Sequence, residues 1–260
     1  MNYGLYVSAA GALGSMYRQD VLTNNMANMN TVGFKPDKVA LRSRPPERIE
    51  DGHAIDPNWM LEQLGGGLFS NPTRVDLSQG DLTTTGNDLD LAIQGEGFFV
   101  INNGRNGSAD NSLRLTRDGR FTLNDQGELV MVSSGMRVMD EQDQPIRLDR
   151  GAPMRIDGNG SIWQRGDVVA KLQVTTVADK AQLKKEGESL MRIEGRRGMN
   201  ARETASGSVH QGMIEASAVD PVLAMNDIIN ASKAVQSNGM MMQYHDNLLG
   251  QVINTLGRVA

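Results

Sequence analysis

Charge is distributed along this 260-residue chain in a way that few folds accommodate. Residues 1–34 carry only Arg18 and Asp20, and residues 217–260 only Asp220, Asp227, Lys233, Asp246 and Arg258, although 22% of the whole chain is charged. The surface helix of a monomer normally presents a charged outer face. Segments that lack one are expected to meet protein around most of their circumference.

Both ends nevertheless have helical spacing. In the first, Leu5, Ala9, Ala12, Met16, Thr23 and Met26 recur at steps of about a helical turn, and Tyr6, Leu13 and Tyr17 widen the stripe. In the last, Ile228, Val235, Met242, Leu249 and Leu256 recur every seven residues, with Met225, Ser232, Gly239 and Ile253 on an intervening seam that Asp246 breaks. Asp220 followed by Pro221 is a good cap and first-turn pair, which starts the second helix there. Helices over 4–28 and 220–257 would be about 37 and 57 Å long at ~1.5 Å per residue. Their interior glycines each cost about 1 kcal/mol relative to alanine, so neither helix is expected to stand alone. Gly11 and Gly14, with Ala9, Ala10 and Ala12, instead let another backbone approach closely. The asparagines and glutamines of the last helix can hydrogen-bond across a contact without burying charge. Two readings stay open: a helix pair packed within one chain, and helices that assemble between subunits.

Between the ends the period changes. "LDLAIQGEGFFVI", "SLRLTRDGRFTLNDQGELVMV", "IRLD", "MRIDGNGSIWQ", "VVAKLQVTTV" and "SLMRIEG" are short alternating or apolar runs divided by Asp-Gly, Gln-Gly and Asn-Gly turns. They predict a meander of hairpins. Residues 36–80, with Pro45-Pro46 and Gly65-Gly66-Gly67, read as an irregular connecting stretch with one short helical candidate at Asn58–Leu64.

Composition narrows function. A net charge of −5 gives no general attraction for nucleic acid or anionic membrane. The basic clusters Lys35 to Arg48 and Arg192 to Arg202 read as solvated faces. No cysteine is present, which removes disulfides and thiolate chemistry. No apolar run of about 18 residues occurs, so direct membrane insertion is not expected. The N-terminus is not expected to be a cleaved secretory signal, since its first basic residue is Arg18 and Gly4, Gly11 and Gly14 interrupt the apolar part. His53, His210 and His245 share no metal-ligand spacing, and "DGNGS" at 157–161 lacks the distal glutamate of a calcium loop. No catalytic, cofactor or metal residues are assigned.

Four stretches carry a resemblance. "NNMANMNTVGFK" at 24–35 is similar to an Asn-Asn-x-Ala-Asn-x-Asn-Thr-x-Gly-Phe-Lys signature. "GDLTTTGNDLDLAIQGEGFF" at 80–99 looks like the entry into a β domain. "RLTRDGRFTLNDQGELV" at 114–130 matches a Tyr-Thr-Arg-x-Gly-x-Phe hairpin with Leu115 in the tyrosine position, and "GMIEASAV" at 212–219 precedes the last helix. Together they resemble the flagellar axial family of rod and hook proteins, most closely its basal-body rod members. The chain departs from the family at Ala218, where asparagine is usual, and near Ser232 to Gln236.

The resemblance implies an α+β fold in which long N- and C-terminal helices pack as a coaxial pair, with an inserted, mostly antiparallel β domain. Residues 1–35 and 217–260 would form the helical assembly domain, 36–79 the connecting segment and 80–216 the outer β domain. It implies a non-enzymatic subunit of the torque-transmitting rod between motor and hook. Its expected partners are itself, other rod and hook subunits and the flagellar type III export apparatus, through which it reaches the periplasm. The expected subunit interface comprises Leu5, Leu13, Met16, Asn24, Asn25, Asn28, Asn30, Gly33, Phe34, Met225, Ile228, Val235, Met242, Leu249, Ile253 and Leu256. The asparagines either hydrogen-bond neighbouring subunits or cap their own chain. A hook or hook-associated protein of the same family is the alternative; outside it stand a secreted glycan-cleaving β-domain enzyme, which needs two carboxylates across a cleft, and an adhesive β module.

Overall fold

The computed structural model describes residues 3–43, 67–103, 113–187, 189–194 and 201–256, which fall into two compact units. The helical unit comprises residues 1–27, 37–74 and 220–260, and the β unit residues 28–36 and 75–219. The helical candidate at Asn58–Leu64 and His53 lie outside the described residues.

In the helical unit, α1 spans Tyr3–Ala27 and α2 spans Pro221–Leu256. The Asp220 carboxylate accepts the backbone N–H groups of Val222 at 2.9 Å and Leu223 at 3.1 Å, so the cap lies where the sequence puts it. The helices pack side by side and antiparallel. Gly4 lies against the His245 ring, Gly11 against the Asn238 amide, and Arg18 pairs with Asp227 at 3.5 Å. A β-carbon at Gly4 would stand 2.6 Å from the His245 ring, so the absence of a side chain there allows the approach. The antiparallel strand pair of Leu41–Ser43 and Leu68–Ser70 lies over another side of α1, with Leu68 and Leu41 near Gly14.

The β unit is antiparallel throughout its paired strands. Phe98–Asn102 runs beside Leu113–Thr116, and Leu190–Ile193 and Leu183–Lys185 extend the sheet on one side. Arg137–Val138, Leu129–Met131 and Phe121–Leu123 extend it on the other, while Val174–Val177 pairs both with Phe98–Asn102 and with Arg202–Thr204. Phe98–Ile101 is a continuous apolar run because both faces of the strand are covered. Phe99 and Ile101 enter a core with Leu91, Phe121, Met131 and Ile162, and Phe98 and Val100 enter a second with Leu115, Met191 and Ile193. The Phe99 and Phe121 rings meet edge to face at 5.3 Å.

A three-stranded sheet, Met154–Ile156, Ser161–Gln164 and Asp167–Lys171, adds to the first core. Two ribbons complete the unit, pairing Leu91–Gln94 with Ser208–Gln211 and Leu82–Thr84 with Met213–Glu215. "DGNGS" is a hairpin turn in which Gly160 takes a φ of +84°, and no cluster of metal-ligating side chains occurs among the described residues. "IRLD" forms no regular strand. Ile146 and Leu148 are buried but pair only irregularly, through bonds such as Leu129 N–H to Ile146 carbonyl at 2.8 Å.

Two carboxylates tie this unit together electrostatically. Glu128 is buried, accepts from Asn124 at 3.0 Å and pairs with Arg137 at 2.9 Å and Arg147 at 3.2 Å. Hydrogen bonds from Asn124, then the arginines, hold its pKa below the usual glutamate value of 4.5. The Arg202 fork, at 2.9 and 3.0 Å, lowers Asp143 in the same sense. A depressed carboxylate stabilises the folded state fully above its unfolded value and loses that contribution as pH falls through the folded one. Thermal unfolding followed by circular dichroism should therefore show a melting temperature insensitive to these groups above pH 4.5 and falling below it. Arg147→Gln should shrink that acid-side fall; an unchanged acid limb would rule out Glu128 as its source.

Candidate assembly interface

The contact between α1 and α2 is lined by small and polar side chains. On α2, Ala224 and Ala231 are buried and Asn238 and His245 half-buried, a row spaced by seven residues, with Ile228, Val235 and Met242 half-buried beside it. On α1, Ser8 and Ala12 are buried. The second row is thus shifted one position from the expected Met225–Ser232–Gly239–Ile253 seam. Two backbones this close, with Gly4 and Gly11 at the contact, leave room for alanine where methionine would not fit.

Many of the large apolar residues face outward instead. On α1, Tyr6, Leu13 (67% exposed) and Met16 are open, while Leu5 is half-buried. On α2, Val222 (70%), Met225, Ile229, Met240 (62%), Tyr244, Leu249 and Ile253 are open. The Leu256 side chain lies outside the described residues. Exposed apolar side chains in this number, with little charge among them, are the kind of surface that protein contacts cover.

The asparagine-rich segment proves to be two devices in one. Asn25, the last buried residue of α1, donates its amide to the Asp37 carbonyl at 2.8 Å and accepts the Asp37 N–H at 3.0 Å. It mimics a backbone pair and closes the helical unit on itself, so its amide serves its own chain. Asn24 and Asn30 are exposed. Asn28 begins a turn, accepting Thr31 N–H on its carbonyl at 3.1 Å and the Thr31 hydroxyl on its side chain at 3.2 Å. Gly33 then takes a φ of +67°, and a β-carbon there would lie 2.4 Å from the Arg117 carbonyl carbon, so conformation and space both require glycine. Phe34 is buried with the Lys185 ammonium 4.2 Å above its ring.

Lys35 ends the segment inside the β unit. Only 1% of its side chain is exposed, and its ammonium donates to Glu215 at 2.5 Å and to the Ser78 carbonyl at 2.7 Å. Glu215, equally buried, also accepts the Gly80 N–H at 2.9 Å and Arg117 at 2.9 Å. Arg117 in turn donates to the carbonyls of Ile93 at 3.1 Å and Gly95 at 2.6 Å and lies 5.3 Å over the Phe98 ring. Burial holds the Lys35 pKa below the usual lysine value, against the opposing pull of Glu215. Two backbone bonds run alongside, Gly33 N–H to the Glu215 carbonyl at 2.8 Å and Ala218 N–H to the Phe34 carbonyl at 3.1 Å.

This knot corrects the reading of Lys35 as the start of a solvated basic cluster. It also assigns Arg117 and Glu215 a role that spacing does not show. A signal did exist: each of the four stretches of the resemblance contributes to it, through Gly33 and Lys35, through Gly80, Ile93 and Gly95, through Arg117, and through Glu215.

Residues 92–187 match the model of the flagellar hook protein FlgE/F/G D1 domain, residues 15–35 that of the flagella basal body rod protein, and residues 210–256 that of the flagellar basal body rod FlgEFG protein C-terminal region. The chain is 31% identical to the flagellar basal-body rod protein FlgF of Caulobacter vibrioides, with all of each chain covered. It is 31% identical to the FlgF of Rhizobium meliloti over 99% of each. With the flagellar basal-body rod protein FlgG of Bacillus subtilis it shares 29% over 96% of this chain and 97% of the relative.

Proposed function

Since the chain belongs to the flagellar basal-body rod protein family, and is accordingly a structural subunit of the basal body rather than an enzyme, we propose that its terminal helices are the elements that polymerise. The carrying observation is the outward apolar surface of the helix pair, Leu13 and Met16 on α1 with Val222, Met225, Ile229 and Met240 on α2. In this reading the helices stack coaxially with those of neighbouring rod and hook subunits to form the inner tube of a torque-transmitting shaft. The helical unit, residues 1–27, 37–74 and 220–260, acts as the assembly domain and the β unit, residues 28–36 and 75–219, as the outer domain, in place of the expected division into 1–35 with 217–260, 36–79 and 80–216.

Of the sixteen residues expected at the interface, the exposed set is best placed for contact between subunits. Asn25, Ile228, Val235 and Met242 support the helical unit itself, and Gly33 and Phe34 the β unit. The chain reaches the periplasm through the flagellar export apparatus and assembles there. No helix among the described residues is long and apolar enough to cross a membrane, in keeping with attachment through protein contacts. The glycan-cleaving alternative has no support among the relatives.

Hydrogen exchange read by mass spectrometry tests the assignment, comparing purified monomer with subunits in isolated basal bodies. Residues 3–27 and 221–256 should gain protection on assembly. Protection gained only in the β unit would move the polymerising surface there.

A further inference from the structure

Asp20 and Lys233 are the exposed charges on the two apolar outer rows of the helix pair. On α1, Tyr6, Leu13 and Asp20 are each seven residues apart and therefore share one side of the helix. On α2, Val222, Ile229, Lys233, Met240 and Tyr244 follow at steps of seven and four and share another. All eight side chains are exposed. Arg18 and Asp227 neutralise each other within the chain. Asp246 lies about 140° around α2 from Lys233 at roughly 100° per residue. Neither Asp20 nor Lys233 has an ion-pair partner among the described residues.

We propose that the outer row of α1 in one copy docks antiparallel on the outer row of α2 in a second copy, with Asp20 opposite Lys233. The proposal rests on the polymerising role of the helices given above and adds its register. Charge complementarity picks the pair, and equal spacing fixes the direction. Leu13 is seven residues before Asp20 and Met240 seven after Lys233, so the antiparallel arrangement sets Leu13 on Met240 and Asn24 beside Ile229. The parallel arrangement would set Leu13 on Asn226 and run Tyr6 past the start of α2. Because the two rows are different surfaces, the contact is heterologous and repeats from copy to copy rather than closing a dimer. A single charge pair in an otherwise apolar contact also specifies register more than it adds affinity.

Charge exchange tests this in purified full-length protein. Asp20→Lys and Lys233→Glu should each weaken self-association about tenfold or more, since each sets like charges face to face. An equimolar mixture of the two variants should recover wild-type association in sedimentation velocity, because alternating copies restore every pair. In the natural cysteine-free background, a chain carrying both Leu13→Cys and Met240→Cys should give a ladder of disulfide-linked oligomers under mild oxidation. A wild-type chain that stays monomeric, a mixture no better than its components, or cross-links confined to single chains would each overturn the proposal. If those results came while residues 3–27 and 221–256 still gained protection in basal bodies, the register alone would fall. If that protection were missing too, the assembly role of the helices would fall with it.

Discussion

Glutamate placed at Ile229 or Met240 leaves the monomer folded and abolishes incorporation into the basal body. Both side chains are open in the single chain, Met240 at 62% exposure and Ile229 at 44%. Neither substitution disturbs the α1 contact, which runs along Ala224, Ala231, Asn238 and His245. Surface changes of this kind usually alter stability by no more than about 0.5 kcal/mol. In an assembled contact a carboxylate at 240 loses its water and gains no partner, an effective penalty of several kcal/mol, and one at 229, four residues before Lys233 on the same row, draws that ammonium into a pair within its own helix. At about 1.4 kcal/mol per tenfold, association falls by roughly two orders of magnitude or more. Swimming in soft agar and immunoblots of purified basal bodies read the outcome, with the circular dichroism spectrum as the control for folding. Normal incorporation of both variants would place the outer face of α2 against solvent in the rod.

Glu215→Ala should be among the most damaging single changes in the β unit. It strands two buried cations, Lys35 at 1% and Arg117 at 4% side-chain exposure, without a counter-charge. Breaking a buried pair from one side costs about 3–5 kcal/mol, a large part of the ~5–15 kcal/mol that holds a typical domain together. The melting temperature should fall by roughly 10 °C, at about 2–4 °C per kcal/mol for a unit of this size. Lys35→Met should cost much less. It keeps the length of the side chain and leaves Glu215 with Arg117 and the Gly80 N–H. Urea unfolding of the two variants side by side gives the ranking. Equal losses would mean that Glu215 acts through its fit and not as the anion shared by three donors.

The helices and hairpins were legible because their signals are local. Asp220 and Pro221 cap and start α2, and charge depletion marks both helices along their length. "GFFVI" shows by its unbroken apolarity that its strand is covered on both sides. The close face of the helix pair was less legible, because alanine, serine and glycine carry little hydrophobic signal, yet Ala224, Ala231, Ser8 and Gly11 are what a close approach selects. Short strands such as Arg202–Thr204, Ser208–Gln211 and Met213–Glu215 were missed. Each is only three or four residues long and pairs with a strand far away in sequence, so no local turn announces it. The knot was hidden for the same reason. Lys35, Arg117 and Glu215 are ordinary charged residues with no common spacing, and only the convergence of four separate stretches reveals that they share a purpose.

The bond between Lys35 and Glu215 spans 180 residues of chain, which has a consequence for the order of folding events. Closing so long a loop carries an entropic cost that grows slowly with length, and contacts of such separation form late and slowly. A chain that emerges from any narrow passage N-terminus first exposes Lys35 early and Glu215 near the end. Until Glu215 is free, the lysine stays hydrated and the turn after α1 has no seat, so the β unit lacks its latch. Completion of the unit is thereby timed to the release of almost the whole polypeptide.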